Sequence, residues 1–250
     1  PGVVGVVIGT AGNVSMALDR YFDNPNGALQ MFCNNAPGLW QAIGCTLAAG
    51  GSYRWYRDTL CEQMKELSKS AGRSVYELMD KSAAASRPGA NGVLFAPYLS
   101  GERAPYADPN ARGVFYGLSL ATNRGDITRS VMEGVTYSLK QVIDLIAGFS
   151  KTEKVYASSG GSASPLWRQM MADSVELPVY TMSAASEGGA YGAMMVAGVG
   201  AGVWGSLEEA IQVLRVETET LPDPKTSAAY RDAFGKYSAL YHALKPVYDM

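Results

Sequence analysis

Three short glycine-containing segments have the composition of loops that hold phosphate groups. They are Gly9-Thr10-Ala11-Gly12, Gly50-Gly51 and Ser159-Gly160-Gly161-Ser162, and the first and third follow predicted strands. Glycine lets the main chain approach a ligand closely, and the second and third segments also open predicted helices, whose N-terminal ends attract anions. None matches the P-loop or dinucleotide-binding pattern, so each alone indicates only a tight turn. Three such segments together favour a phosphate-bearing ligand.

A second candidate site is the charged loop at residues 97–112. Glu102, Arg103 and Asp108 lie in this loop, which joins two predicted strands. Substrate contacts commonly lie in loops that present charged groups between regular elements. The loop is therefore the predicted substrate side of the molecule.

Other common kinds of site have little support in the sequence. His242 is the only histidine and falls in the final predicted helix, so we read it as a surface residue rather than part of a triad or zinc site. Asp126 is predicted to cap a helix, and Glu133 to accept a structural hydrogen bond within it. The sequence predicts no metal site.

The pattern of apolar residues and turn residues alternates between strands and helices. Such alternation is typical of an α/β domain in which helices flank a sheet. Strands are predicted at 3–10, 14–18, 44–49, 93–95, 113–117, 154–157 and 178–181, and helices at 52–69, 74–85, 126–148, 164–175, 187–199, 207–214 and 227–247. Within helix 126–148, the apolar positions Ile127, Val131, Val135, Leu139 and Val142 share one face.

The stretch 188–205 is apolar throughout and rich in glycine. A membrane span needs about 20 apolar residues, and glycine costs roughly 1 kcal/mol relative to alanine inside a helix. We therefore predict a core helix that packs tightly through its small residues, and no membrane segment.

The composition describes an ordinary globular protein. The 250 residues are 47% apolar and 18% charged, with a formal net charge of −2. A charge this small provides no basic field for nucleic acid. The three cysteines, Cys33, Cys45 and Cys61, are odd in number and lack metal-binding spacing, which favours a reducing cytoplasm.

Several of these segments together resemble one enzyme family. The run Gly113-Val-Phe-Tyr-Gly-Leu118, followed after seven residues by Asp126-Ile127 and Ser130-Val-Met-Glu133, is similar to a signature of the FGGY carbohydrate kinases. Around it, the segments 96–113, 159–173, 9–14 and 49–60 resemble this family's sugar-side loop, adenosine segment, phosphate hairpin and nucleotide-side helix. The resemblance covers essentially the whole chain and is closest to the xylulose kinases.

The resemblance implies an actin-like ATPase fold, of the ribonuclease H type, whose mixed sheet is flanked by helices. It also implies that residues 1–250 form the C-terminal, nucleotide-binding half of a kinase. The N-terminal sugar-binding domain and the catalytic aspartate, expected before the Gly9 hairpin, would then lie upstream of Pro1, where the sequence begins without an initiator Met. This chain alone is expected to bind nucleotide weakly and to lack kinase activity.

Residue roles follow from the same resemblance. Thr10 would face the terminal phosphates of ATP, with Gly9 and Gly12 allowing close approach, while Gly50 and Arg54 would lie near the adenosine or ribose. The remaining nucleotide contacts would come from Gly160, Gly161 and Ser164. The implied cofactors are ATP and Mg²⁺, and valine at Gly161 is expected to abolish ADP binding while leaving the fold intact.

The implied reaction is phosphorylation of D-xylulose to D-xylulose 5-phosphate. Ala104-Pro105-Tyr106 and Asn34 depart from the xylulose kinase pattern, and the GERAP sequence is also similar to gluconate kinases. Gluconate or another polyol is therefore an alternative acceptor, and a non-catalytic actin-like nucleotide-binding module is the alternative of another class. The expected partners are the sugar, the N-terminal domain and a second copy in a possible homodimer.

Overall fold

A computed structural model describes residues 2–24, 27–183 and 185–250. Its strands are β1 (Val3–Ile8), β2 (Gly12–Leu18), β3 (Gln30–Cys33), β4 (Trp40–Thr46), β5 (Leu94–Ala96), β6 (Val114–Tyr116), β7 (Lys154–Ser158), β8 (Val179–Met182) and β9 (Val216–Thr220). Its helices are α1 (Gly50–Leu60), α2 (Glu62–Ala71), α3 (Val75–Ala84), α4 (Arg124–Ala147), α5 (Pro165–Val175), α6 (Gly188–Gly200), α7 (Leu207–Ala210) and α8 (Pro224–Tyr248).

A seven-stranded mixed sheet forms the centre of the molecule. Its strand order is β3-β4-β2-β1-β7-β8-β9, and β5 and β6 form a separate antiparallel pair. Strand β1 is antiparallel to β2 and parallel to β7, so β1 and β7 end at the same edge of the sheet. Side chains alternate along β1: Val4, Val6 and Ile8 are buried, whereas Val7 on the opposite face is exposed. The prediction of a mixed sheet flanked by helices is confirmed.

Helix α4 is the central helix of the core and packs against β2, β4 and β5. Its predicted apolar face is confirmed, since Val131, Val135, Leu139 and Val142 have no exposed surface. The predicted start was wrong by two residues. Asn123 is the N-cap and accepts a hydrogen bond from the Asp126 backbone N–H, while the Asp126 carboxylate accepts one from the Asn123 N–H over 3.0 Å. Asp126 therefore lies in the first turn of the helix, where it forms a capping box with Asn123.

Three other sequence-based predictions need correction. The helix predicted at 52–69 begins at Gly50 and is interrupted at Cys61, which separates α1 from α2. Strands β3 and β9 were missed because they are edge strands whose residues are mostly exposed or half-buried, without a strongly apolar face. The last turn of the helix predicted at 207–214 is a 3₁₀ turn at Ile211–Val213.

The prediction of a core helix in the apolar stretch 188–205 was wrong. Helix α6 lies at the surface, where Met195 is its only buried residue while Tyr191 and Met194 are 38% and 42% exposed. One of its glycines makes a close local contact instead, because a Cβ at Gly198 would lie only 2.3 Å from the Trp204 ring. Within the described residues, no helix combines the length and apolar character needed to cross a membrane.

Candidate nucleotide-binding site

A cavity of about 720 Å³ opens at the edge where β1 and β7 end. Its wall is formed by the tip of the β1–β2 hairpin, the first turns of α1, the segment after β7 and the start of α5. Helix α3 closes the opposite side. Ligands of open α/β sheets commonly bind beyond the carboxyl ends of parallel strands. Seven of the eight predicted nucleotide residues line this cavity: Gly9, Thr10, Gly50, Arg54, Gly160, Gly161 and Ser164.

The hairpin and helix α1 are joined by backbone hydrogen bonds at the cavity wall. The Thr10 carbonyl oxygen accepts bonds from the N–H groups of Ala49 and Gly51, over 2.9 and 3.0 Å. A Cβ at Gly50 would lie 2.7 Å from the Gly9 carbonyl oxygen, and one at Gly51 equally close to that of Thr10. These two glycines therefore let the first turn of α1 approach the hairpin backbone.

Arg54 brings a positive charge to the same wall. Its Nη2 atom donates to the Thr10 hydroxyl over 3.4 Å, one turn into α1. The eighth predicted residue, Gly12, lies beneath the wall rather than along the cavity. A Cβ at Gly12 would meet Leu139 at 2.7 Å and Thr46 at 2.9 Å, so the close packing of β2 against α4 requires glycine there.

The segment between β7 and α5 presents a tight turn to the cavity. Ser159 adopts a positive φ of 71°, and the Arg168 guanidinium donates to the Ser162 carbonyl oxygen over 2.6 Å, which holds the turn against α5. The Ser164 hydroxyl accepts the Trp167 N–H over 3.1 Å and caps α5. The positive end of the α5 dipole therefore faces the cavity, where it favours an anion.

The two glycines of this turn differ in what surrounds them. A Cβ at Gly161 would lie 2.4 Å from Ile8 Cγ2, in the core beneath the cavity. A Cβ at Gly160 would have no atom within 4 Å. The expectation that valine at Gly161 would leave the fold intact is therefore wrong, because the new side chain would collide with a buried strand residue.

The far end of the cavity is aromatic and acidic, which the sequence reasoning missed. The rings of Tyr53 and Trp167 pack edge to face with centroids 5.3 Å apart, and Tyr53 stacks on Tyr76 at 5.7 Å. The Tyr53 hydroxyl donates to Asp80 over 2.9 Å, while burial raises the pKa of the Asp80 carboxyl despite that bond. Aromatic side chains with a few polar groups beside them suit a planar base. Only the packing of α3 against this wall brings Asp80 there.

The three residues of loop 97–112 that were predicted to contact substrate, Glu102, Arg103 and Asp108, lie outside this cavity. Glu102 is 3% exposed, and its Oε1 atom accepts the N–H groups of Leu47 and Arg103 over 3.0 and 2.7 Å. Burial raises the pKa of Glu102 to about 7. Asp108 is also buried and accepts bonds from the Tyr241 hydroxyl and Lys245 in α8, whereas Arg103 is exposed. Glu102 and Asp108, two of the three predicted substrate contacts, therefore stabilise the conformation of the loop.

Two structural roles predicted for single residues are confirmed. Glu133 accepts hydrogen bonds from Arg129 Nε over 2.6 Å and from the Gly89 N–H over 3.0 Å. His242 lies exposed on α8, with its ring edge to face against Tyr106. Among the described residues, no group of three His, Cys, Asp or Glu side chains is arranged to hold a metal ion.

A family model described as the FGGY family of carbohydrate kinases, C-terminal domain, matches residues 4–201. The chain belongs to the FGGY family. A Staphylococcus epidermidis xylulose kinase is 32% identical over 241 residues, which cover 95% of this chain and 46% of the relative. A Bacillus licheniformis gluconokinase is 30% identical over 250 residues, covering 99% of this chain and 48% of the relative.

Solved structures of FGGY kinases share the same fold. The crystal structure of xylulose kinase from Rhodospirillum rubrum superposes with a TM-score of 0.83 at 29% identity, covering 100% of this chain and 49% of that one. The actin-like prediction for the fold is therefore confirmed. The chain spans about half the length of the relatives it matches.

Proposed function

We propose that this chain is the nucleotide-binding C-terminal half of an ATP-dependent sugar kinase. The observation that carries the proposal is a single cavity whose lining combines the hairpin tip, the start of α1 and the α5 N-terminus with a group of aromatic side chains. The hairpin glycines, Arg54 and the α5 N-terminus suit phosphates, and the aromatic side chains suit a planar base, so one cavity combines the features that a nucleoside di- or triphosphate requires. Membership of the FGGY family supports ATP as the nucleotide.

D-xylulose is the proposed acceptor, because xylulose kinases recur among the relatives and the similar structures. Gluconate is the second candidate, since gluconokinases match this chain at comparable identity. The relatives are about twice as long, so an N-terminal domain that binds the sugar and supplies the catalytic base completes the proposed enzyme. The proposed location is the cytoplasm, and a homodimer is its proposed assembly.

The proposed contribution of this chain to the reaction is binding, orientation and charge. ATP, when bound, supplies the γ-phosphoryl group that is transferred in line to a sugar hydroxyl, chemistry that rests on positioning and electrostatic stabilisation. Thr10, Arg54 and the N-terminus of α5 all line the cavity. They provide hydrogen bonds and positive potential for the nucleotide phosphates.

Magnesium does not fit a cage made by this chain. The acidic residues that line the cavity are Glu77 and Asp80, both from α3, and among the described residues no group of three His, Cys, Asp or Glu side chains is arranged to hold a metal ion. Mg²⁺ prefers oxygen ligands and commonly binds through one or two carboxylates and substrate phosphates. We therefore propose that Mg²⁺ enters with ATP, and we assign no residue of this chain to it.

Two measurements test the proposed function. Calorimetric titration of this chain with ADP, with GDP for comparison, is expected to show weak binding that prefers ADP; absence of any binding would overturn the nucleotide assignment. Expression of the parent reading frame, followed by ADP release with D-xylulose, gluconate, glycerol and L-ribulose, then identifies the acceptor. Turnover on gluconate alone would favour the second candidate, and ADP binding without turnover would indicate a non-catalytic nucleotide-binding module.

A further inference from the structure

The side chain of Glu102 joins loop 97–112 to the segment that follows β4. The Glu102 Oε1 atom accepts the Leu47 N–H over 3.0 Å. Two residues later, the Ala104 N–H donates to the Cys45 carbonyl oxygen over 3.1 Å. Glu102 is 3% exposed, so these bonds lie out of water. A buried carboxylate that accepts backbone N–H groups fixes the position of both segments.

The same segment continues into the wall of the nucleotide cavity. Two residues after Leu47, the Ala49 N–H donates to the Thr10 carbonyl oxygen, and the Gly51 N–H does the same. Gly51 and Thr10 line the cavity, whereas Glu102 does not. A continuous chain of hydrogen bonds and backbone thus runs from the charged loop to the hairpin.

No salt bridge compensates the charge of Glu102 within the described residues. Its Oε2 atom is buried without a hydrogen-bond partner among them, as is the Ser138 hydroxyl of α4. The ionisable groups around the carboxyl are Arg103 and Cys45 on the two joined segments, and the phenols of three tyrosines: Tyr98, Tyr106 and Tyr237. Burying a carboxyl without an ion pair is costly, and the two backbone N–H groups that Oε1 accepts are the contacts that offset this cost.

We propose that Glu102 is a positioning residue for the nucleotide site, which holds the turn at residues 47–51 and couples it to loop 97–112. Because coupling between two sites is reciprocal, nucleotide binding then also orders the loop. The proposal rests on the proposed nucleotide-binding function. It gives the buried carboxyl a role in binding that requires no contact with the ligand.

The first test compares variants of the chain by ADP titration. Glu102→Ala removes the acceptor of the Leu47 N–H and is expected to weaken ADP binding roughly tenfold or more, the effect of losing a charged hydrogen bond. Glu102→Gln keeps an acceptor oxygen and is expected to stay within roughly threefold of the parent chain. Equal ADP affinity of Glu102→Ala and the parent chain would overturn the proposal, as would a glutamine variant as weak as the alanine variant.

Asp173→Ala is the matched control. Asp173 is likewise buried and accepts a backbone N–H from a distant segment, that of Asp223, over 2.7 Å, but it does not line the cavity. This variant is expected to keep the ADP affinity of the parent chain. If it lost as much affinity as Glu102→Ala, general destabilisation would explain both results and the proposal would be wrong.

The second test uses the parent chain and does not depend on the folding of a variant. Hydrogen–deuterium exchange is measured with and without saturating ADP, and slower exchange is expected both in residues 45–51 and in residues 99–105, which lie outside the cavity. Protection of 45–51 alone would overturn the coupling. Absence of ADP binding to the parent chain would instead refute the proposed function, so the two failures are distinguishable.

Discussion

The hydroxyl of Tyr53 donates a hydrogen bond to the carboxylate of Asp80 over 2.9 Å, across the aromatic end of the cavity. This bond joins α1, which also carries the phosphate-side glycines, to α3, which no sequence motif connects with the nucleotide. Tyr53 is buried and packs on both Trp167 and Tyr76. The pair therefore joins α1 to α3 at the aromatic part of the cavity lining.

Replacing Tyr53 with phenylalanine tests this bond. Asp80 would lose a donor that opposes the effect of burial on its pKa, so the free energy of unfolding is expected to fall by about 2 kcal/mol and ADP affinity several-fold. Urea denaturation and calorimetric titration measure the two effects. Tyr180→Phe is the control: its bond to Glu219 lies at the surface, so its loss is expected to leave the free energy of unfolding nearly unchanged. Similar losses in both variants would contradict the role of the Tyr53–Asp80 pair.

The neighbouring glycines of the β7–α5 turn allow binding to be separated from folding. Gly160→Val adds a side chain where there is open space at the cavity wall, so stability is expected to change by about 1 kcal/mol or less, while ADP affinity falls roughly tenfold or more. Gly161→Val is expected to destabilise the fold by about 2–3 kcal/mol, because its Cβ would overlap Ile8. ADP titration and urea denaturation of both variants measure these effects. Unchanged ADP affinity in Gly160→Val would refute the prediction.

Removing one partner of the buried ion pair in α4 is expected to lower the free energy of unfolding strongly. Arg129 and Glu133 are 6% and 1% exposed, and Arg129 also donates to the Tyr230 hydroxyl over 2.6 Å. Glu133→Ala would leave the guanidinium buried without its carboxylate, at a cost of about 3–5 kcal/mol in the free energy of unfolding. Asp232→Ala breaks the exposed Asp232–Lys236 pair at the same i,i+4 spacing and should cost no more than about 0.5 kcal/mol. Chemical denaturation compares the two, and equal effects would show that burial is not the cause.

Glu102 is expected to make stability depend on pH near neutrality. Its pKa rises from 4.5 to about 7 on folding because burial disfavours the charged form. A raised pKa means that the stabilising contribution is complete below pH 4.5 and is lost as the pH rises through 7. Glutamine does not ionise, so Glu102→Gln does not lose stability in this way. The free energy of unfolding of the variant minus that of the parent chain should therefore increase by up to about 3 kcal/mol from pH 4.5 to pH 8.

Asp108→Asn provides the opposite case for this measurement. Burial raises the pKa of Asp108, but hydrogen bonds from Tyr241 and Lys245 outweigh it, so the folded pKa lies below the ordinary value of 3.8. Its stabilising contribution is therefore present above pH 3.8 and is lost only in acid. Denaturation between pH 5 and 8 should give a constant difference between Asp108→Asn and the parent chain. A constant difference for Glu102→Gln as well would contradict the raised pKa of Glu102.

The sequence by itself determined the elements whose local signals are strong. Apolar periodicity identified α4, and the pair Gly50-Gly51 marked the start of α1, because a Cβ at either position would collide with the hairpin backbone. The spacing of residues 113–133 also indicated the family that the comparison later established. Of the eight residues that the resemblance predicts to bind nucleotide, seven line the cavity.

Only the tertiary structure decided which of those residues face the cavity and which support it. Gly12 and Glu102 carry the same sequence signals as true lining residues, yet packing against α4 buries the first, and backbone N–H groups engage the second. Asp80 had no signal, since its place depends on how α3 packs beside α1. Helix α6 is apolar yet exposed because burial depends on neighbouring elements, which local composition does not specify.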